Sequence, residues 1–210
     1  DGRLWVGTAR GVAIISSFGN IIEGPVDAII PIFENRLLLT DEVITSMKVD
    51  PGNRKWMGTE NGVWLFDEEA DRQLQNFTVA NSPLPSNEIL SIGITDNNGE
   101  VFFGTSSGVG SYRSDATFAE DTHAEVKVFP NPISSDYQGT VGISGLAFNV
   151  DVKITDANGR LIWNTKSAGG TATWDARDYN GRRAATGVYF MFSSSEDGSE
   201  TFIGKILVVN

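Results

Sequence analysis

Residues 169–189 read GGTATWDARDYNGRRAATGVY, two strand-like pieces around a turn-rich insert. The Thr-Ala-Thr-Trp run from Thr171 to Trp174 alternates side chains as a strand does, Asn180-Gly181 is the dipeptide of a tight turn, and Gly187-Val188-Tyr189 opens a strand predicted to run through Phe192. No helical period competes with this reading. Working outward, the stretch from Val126 to the C-terminus resolves into seven short strands, at 126–129, 139–143, 150–156, 161–166, 172–174, 188–193 and 202–209. Asn158-Gly159, Asn180-Gly181 and Asp197-Gly198 supply the strongest hairpin cues between them. Seven strands of this kind predict an immunoglobulin-like β-sandwich over 126–210. The chain has no cysteine, so Trp163, Trp174 and the phenylalanines must fill the core that a disulfide would otherwise staple.

Upstream the pattern changes to a repeat. LWVGTARGVAII from Leu4, KWMGTENGVWLF from Lys55 and VFFGTSSGVGSY from Val101 all keep Gly-Thr followed by Gly-Val. Gly7, Gly58 and Gly104 recur roughly 50 residues apart, a spacing that fits propeller blades. Before the second and third copies, Ile44–Val49 and residues 89–94 match as a further strand, followed by turns at Pro51-Gly52-Asn53 and Asn97-Asn98-Gly99. Each copy therefore reads as strand, turn, strand, link, strand. The glycine of Gly-Thr is expected where neighbouring backbones crowd together. The whole is all-β: about three blades of a partial β-propeller over 1–113, the first incomplete, a polar linker at 114–125, then the sandwich. Three blades do not close a ring, so the rest of the ring is expected before Asp1, and an open blade edge is expected to make the fragment self-associate.

The charge balance of −11 works against nucleic acid as a partner, because no basic stripe offsets phosphate repulsion. No run is apolar enough for a membrane helix. The one histidine, His123, lies in the linker and reads as solvent-exposed, which leaves no Ser/His/Asp or Cys/His set for catalysis. Asp175, Asp178 and Asn180, with Asp156 and Asn158, carry oxygens that calcium could use, but the order of ligands is not that of a calcium loop and turn chemistry explains the same letters. We therefore expect no catalytic residues, no metal and no cofactor. Trp5 and Trp56 share a repeat column and read as blade core. Trp64 shares its column with Ala13 and Gly110, so packing does not demand an aromatic there, and it is the candidate exposed aromatic for stacking on a sugar.

The three copies resemble the two-component regulator propeller repeat of bacterial surface and sensor proteins, including Asn76-Phe77-Thr78 as the lead-in to the next blade. Val126 onward resembles the C-terminal domain of type IX secretion substrates in Bacteroidetes. Four landmarks stand in order: Pro130-Asn131-Pro132, Ile154-Thr155-Asp156 with Gly159-Arg160, Gly187-Val188-Tyr189, and Lys205-Ile206-Leu207-Val208. The combination resembles the non-enzymatic surface components of the type IX attachment complex. That resemblance implies a cell-surface or outer-membrane location reached through the periplasm, partners such as a PorU-like sortase, and binding of anionic lipopolysaccharide or another glycan. It also marks Gly187, Val188, Tyr189, Lys205 and Ile206 as candidate sorting and docking residues. Two alternatives remain open on the same residues: the ectodomain of a hybrid two-component sensor that detects glycans, and a secreted passenger that uses the C-terminal domain as its address.

Overall fold

A computed structural model describes residues 2–16, 24, 27–95 and 97–209. Asp1 and Asn210 lie outside the described residues. Every regular element among the described residues is a β-strand. The chain divides into two compact units, Asp1–Thr95 with Glu100–Ser114, and Asp96–Gly99 with Asp115–Asn210.

The first unit contains β1 (Leu4–Thr8), β2 (Gly11–Ile15), β3 (Ile32–Phe33), β4 (Arg36–Leu37), β5 (Ile44–Val49), β6 (Lys55–Thr59), β7 (Gly62–Phe66), β8 (Gln73–Phe77), β9 (Ile89–Thr95), β10 (Glu100–Thr105) and β11 (Gly108–Arg113). They form a partial propeller. The first blade pairs β1 with β2, the second is a four-stranded antiparallel sheet in the order β5-β6-β7-β8, and the third has the order β11-β10-β9. The second blade thus has one strand more than its sequence suggests: Asn76 and Phe77, read as a lead-in, end β8 and pair with Trp64 and Val63.

The repeated Gly-Thr-x-x-Gly has one structural meaning in all three blades. The threonine hydroxyl donates to the glycine carbonyl across the hairpin (Thr8 to Gly11, Thr59 to Gly62, Thr105 to Gly108) and accepts the backbone N–H two residues on. The closing glycine has positive φ in each case, 86°, 125° and 137°, where a side chain would be strained. The opening glycine is required for a different reason. A Cβ on Gly7 would lie 2.5 Å from Cγ2 of Ile44, and one on Gly58 would lie 2.6 Å from Cγ2 of Ile89, so each glycine admits the first strand of the next blade. Trp56 is completely buried, packed near Phe77, Phe103 and Tyr112 between the second and third blades. Its column partner Trp5 is only half-buried, with the Arg3 guanidinium and Lys55 ammonium 5.8 Å and 5.0 Å from its ring.

The second unit contains β12 (Lys127–Phe129), β13 (Ile133–Ser134), β14 (Val141–Ser144), β15 (Asp151–Thr155), β16 (Leu161–Lys166), β17 (Thr171–Trp174), β18 (Gly187–Ser194) and β19 (Thr201–Val209). A three-stranded sheet, β12-β14-β17, and a five-stranded one, β13-β19-β18-β15-β16, form the sandwich. Val141, Ile143 and Trp174 from one sheet share a core with Val152, Ile154, Met191, Ile206 and Val208 from the other. Two residues escaped the pattern reading as a strand: Ile133 and Ser134 pair in parallel with Val208 and Val209. Asn158-Gly159 and Asp197-Gly198 join paired strands as expected. Asn180-Gly181 does not, because β17 and β18 belong to different sheets; it turns the chain within their connection, beside a bridge between Arg177 and Arg183.

The segment after Ser114 packs against this sandwich. Ala116 is buried, Thr117 bridges to Gly169, and Phe148 and Ala124 bond to Glu120 and Gly145 through backbone groups. His123, expected to be solvent-exposed in a linker, is instead an acceptor and donor within the fold. The Ala147 N–H donates to its Nδ1 at 2.9 Å, which leaves the neutral-ring proton on Nε2, 3.0 Å from Ser193 Oγ. Its own N–H donates to Glu200.

Candidate docking and sorting site

Three of the four landmark segments, those at 130–132, 187–189 and 205–208, converge on β19 and its neighbours. β18 and β19 pair in register, with Gly187 opposite Val208, Val188 opposite Leu207, Tyr189 opposite Ile206 and Phe190 opposite Lys205. On the other side of β19, Asn131 takes the place of a strand: its Nδ2 donates to the Lys205 carbonyl and its Oδ1 accepts the Leu207 N–H, both at 2.9 Å. This amide satisfies the two backbone groups that an edge strand would leave open there. The sequence offered Asn131 only as part of a motif; its role as a ladder partner depends on residues more than 70 positions away.

Strand alternation sorts the candidate residues into two groups. Ile206 and Tyr189 face the core, with Ile206 fully buried and Tyr189 near Trp174, its hydroxyl donating to the Ala185 carbonyl at 3.0 Å. Burial pushes the Tyr189 hydroxyl above the usual tyrosine range. Val188 and Lys205 face outward, and Gly187 is half-buried. Val188, Phe192, Ile203, Leu207 and Val209 add exposed apolar surface to β18 and β19, and Lys205 sits among them, opposite Phe190. A strip of apolar side chains with the Lys205 ammonium among them, and exposed Lys153 opposite Phe192 on the neighbouring β15, suits a protein partner with an apolar surface and acidic groups. It provides no nucleophile, base or oxyanion donor set.

The middle landmark runs from the end of β15 into the turn at 156–160, away from β19. Asp156 and Asp178 begin two turns with the same sequence, Asp-x-Asn-Gly-Arg. In each the Oδ1 accepts the N–H groups of the residues two and four positions on, and the glycine has positive φ. The carboxylates that suggested calcium are thus engaged by their own turns. Burial works against ionisation of Asp178, but hydrogen bonds from the Arg182 backbone and guanidinium and from the Asn180 backbone outweigh it, holding its carboxyl below the usual range.

Trp64 is in the first unit and half-buried. Its ring stacks on Phe66 with centroids 6.3 Å apart, and its indole Nε1 is buried without a hydrogen-bond partner. It lines a recess of about 240 Å³ with Phe33, Arg36, Leu39, Asp41 and Glu42. The aromatic is therefore a wall of a cleft and not a fully exposed platform.

Residues 127–209 match the family model of the secretion system C-terminal sorting domain. Along its whole length the chain is similar to PorZ, an essential bacterial surface component of the type-IX secretion system of Porphyromonas gingivalis, with 31% identity and a TM-score of 0.69. The chain spans 29% of that protein. Weaker likenesses are to the extracellular domain of a hybrid two component system from B. thetaiotaomicron, at 18% identity and TM-score 0.36 over 100% of this chain and 30% of that one, and to dimeric latent PorU from P. gingivalis, at 21% identity and TM-score 0.31 over 56% of this chain and 13% of that one. No curated protein matches.

Proposed function

We propose that this chain is an exported, cell-surface-associated and non-enzymatic assembly component of type IX secretion, whose sandwich docks to the secretion machinery through the outer face of β18 and β19; the match of residues 127–209 to the secretion system C-terminal sorting domain and the similarity to PorZ support this reading. The observation that carries this reading is the register of Gly187-Val188-Tyr189 against Lys205-Ile206-Leu207-Val208, locked from the far side by Asn131. Three of the four landmarks thereby build one sheet edge and one exposed face. Tyr189 and Ile206 hold the face in place from the core, while Val188 and Lys205 are the groups a partner would touch. The partner proposed for this face is a PorU-like sortase, and the proposed glycan ligand is an anionic lipopolysaccharide.

The test is surface delivery of the full-length protein in its native host. Lys205→Glu should lower the delivered fraction several-fold while the melting temperature of the purified chain stays unchanged, because the side chain is exposed and outside the core. Ile206→Ala should lose both, by removing a buried side chain. Delivery of Lys205→Glu at the wild-type level would refute the docking role.

A further inference from the structure

We propose that the recess between the 156–160 and 178–182 turns binds a phosphate group carried on a sugar-sized molecule. The recess has a volume of about 370 Å³ and is lined by Arg160, Arg182, Arg183, Asp156, Asp178 and Tyr189 among others, a size ordinary for a small-molecule site. In a chain with a net charge of −11, residues 115–210 contain four arginines, and three of them line this one recess. The fourth, Arg177, donates to the Gly181 carbonyl in the adjoining turn.

Three turns of the chain place an arginine four residues after an aspartate, and they serve as controls for one another. Arg54 closes on Asp50 at 2.9 Å, and Arg182 closes on Asp178 through Nε at 3.0 Å and Nη2 at 2.9 Å. Arg160 does not close on Asp156: among the described residues its guanidinium has no hydrogen bond or ion pair, although Asp156 stands at the same spacing. The two neighbours are already positioned, Arg182 by Asp178 and Arg183 by the Ser134 carbonyl at 2.9 Å. Both aspartates direct Oδ1 at backbone N–H groups. The result is a corner with two held guanidinium groups and a third open one. Planar forks of this kind bind phosphate oxygens in pairs, and preorganised donors lose little entropy on binding. Val188, Lys205 and Leu207 do not line the recess, so this assignment stands or falls apart from the docking face.

The experiment titrates the 210-residue protein with glucose 1-phosphate and follows the Arg Nε–H resonances by NMR, with glucose and glucuronate as parallel arms. Saturable shifts at Arg160 and Arg182 are expected with the phosphate ester, none with glucose, and weaker ones with glucuronate. Arg160→Ala should weaken the phosphate ester about tenfold without changing the melting temperature, and Arg160→Lys, which keeps charge but not the fork, should fall between. Shifts that grow linearly with ionic strength, or that persist unchanged in Arg160→Ala, would overturn the site. Tighter binding of glucuronate than of the phosphate ester would overturn its assignment to phosphate.

Discussion

Gly58 and Gly104 occupy the same column of the repeat, yet they meet different neighbours. A Cβ at Gly58 would press on the branched Cβ and Cγ2 of Ile89 at 3.1 and 2.6 Å, while one at Gly104 would meet Ser91 Oγ at 2.5 Å, the free end of a short rotatable side chain. Gly58→Ala should therefore destabilise by about 1–3 kcal/mol, the range for overpacking, and Gly104→Ala by about 1 kcal/mol or less. Urea denaturation of both variants checks this, and equal losses would contradict it. The sequence showed that the column needs glycine; which neighbour enforces it is a tertiary fact. Lys55 illustrates a residue that pattern reading cannot place at all. It is buried at a repeat position where the third copy has valine, its ammonium donating to the carbonyl and side chain of Asn53. Burial first, and then the positive charge of Arg3, lowers its pKa to about 8. Between pH 8 and 10 the unfolded chain holds this proton and the folded chain has released it, so unfolding free energy should rise with pH across that window. Lys55→Met should flatten that rise, a comparison that denaturation at pH 8, 9 and 10 would make.

At the scale of elements, turn chemistry was the most legible part of the sequence and short pairings the least. Asp-x-Asn-Gly-Arg and the Gly-Thr-x-x-Gly hairpins carry their geometry in residues a few positions apart, so they could be read directly. β8 has the composition Gln-Leu-Gln-Asn-Phe, too polar to stand out, and β13 has only two residues, so both become strands through their partners. The edge of β19 is a further case, because a side chain completes it. Asn131→Ala would leave the Lys205 carbonyl and the Leu207 N–H without their partner, a loss of about 1–2 kcal/mol for two modest hydrogen bonds. Hydrogen exchange is the sensitive probe. The Leu207 amide should exchange faster by at least tenfold in Asn131→Ala, whereas the Ile206 amide, in a residue with a fully buried side chain, should change far less. Unchanged protection at Leu207 would show that the Asn131 bridge does not hold the edge.

On the scale of the whole molecule, the change of pattern from repeated blades to a run of short strands was readable, and so was the order of the two parts. The polar stretch at 114–125 has the composition of a linker, and only the fold reveals Ala116 in a buried position and His123 bonded to Ala147 and Ser193. The division also makes a functional statement that can be tested with two tryptophans of equal burial. Trp56 anchors the blade core and Trp174 the sandwich core, and each truncation to alanine should cost about 3–5 kcal/mol. If the sorting address lies in the sandwich, these similar losses have unequal consequences. Trp174→Ala removes the core beneath Tyr189, whose ring is 5.8 Å away, and so should disorder the β18–β19 register on which recognition rests. Trp56→Ala leaves that register intact. Made in the full-length protein in its native host, Trp174→Ala should abolish surface delivery, while Trp56→Ala should still be delivered as a large share of the protein that accumulates. The delivered fraction must be measured against total protein, since a weakened blade also lowers abundance. Equal loss of that fraction in both variants would mean that the machinery reads more of the chain than its sorting domain.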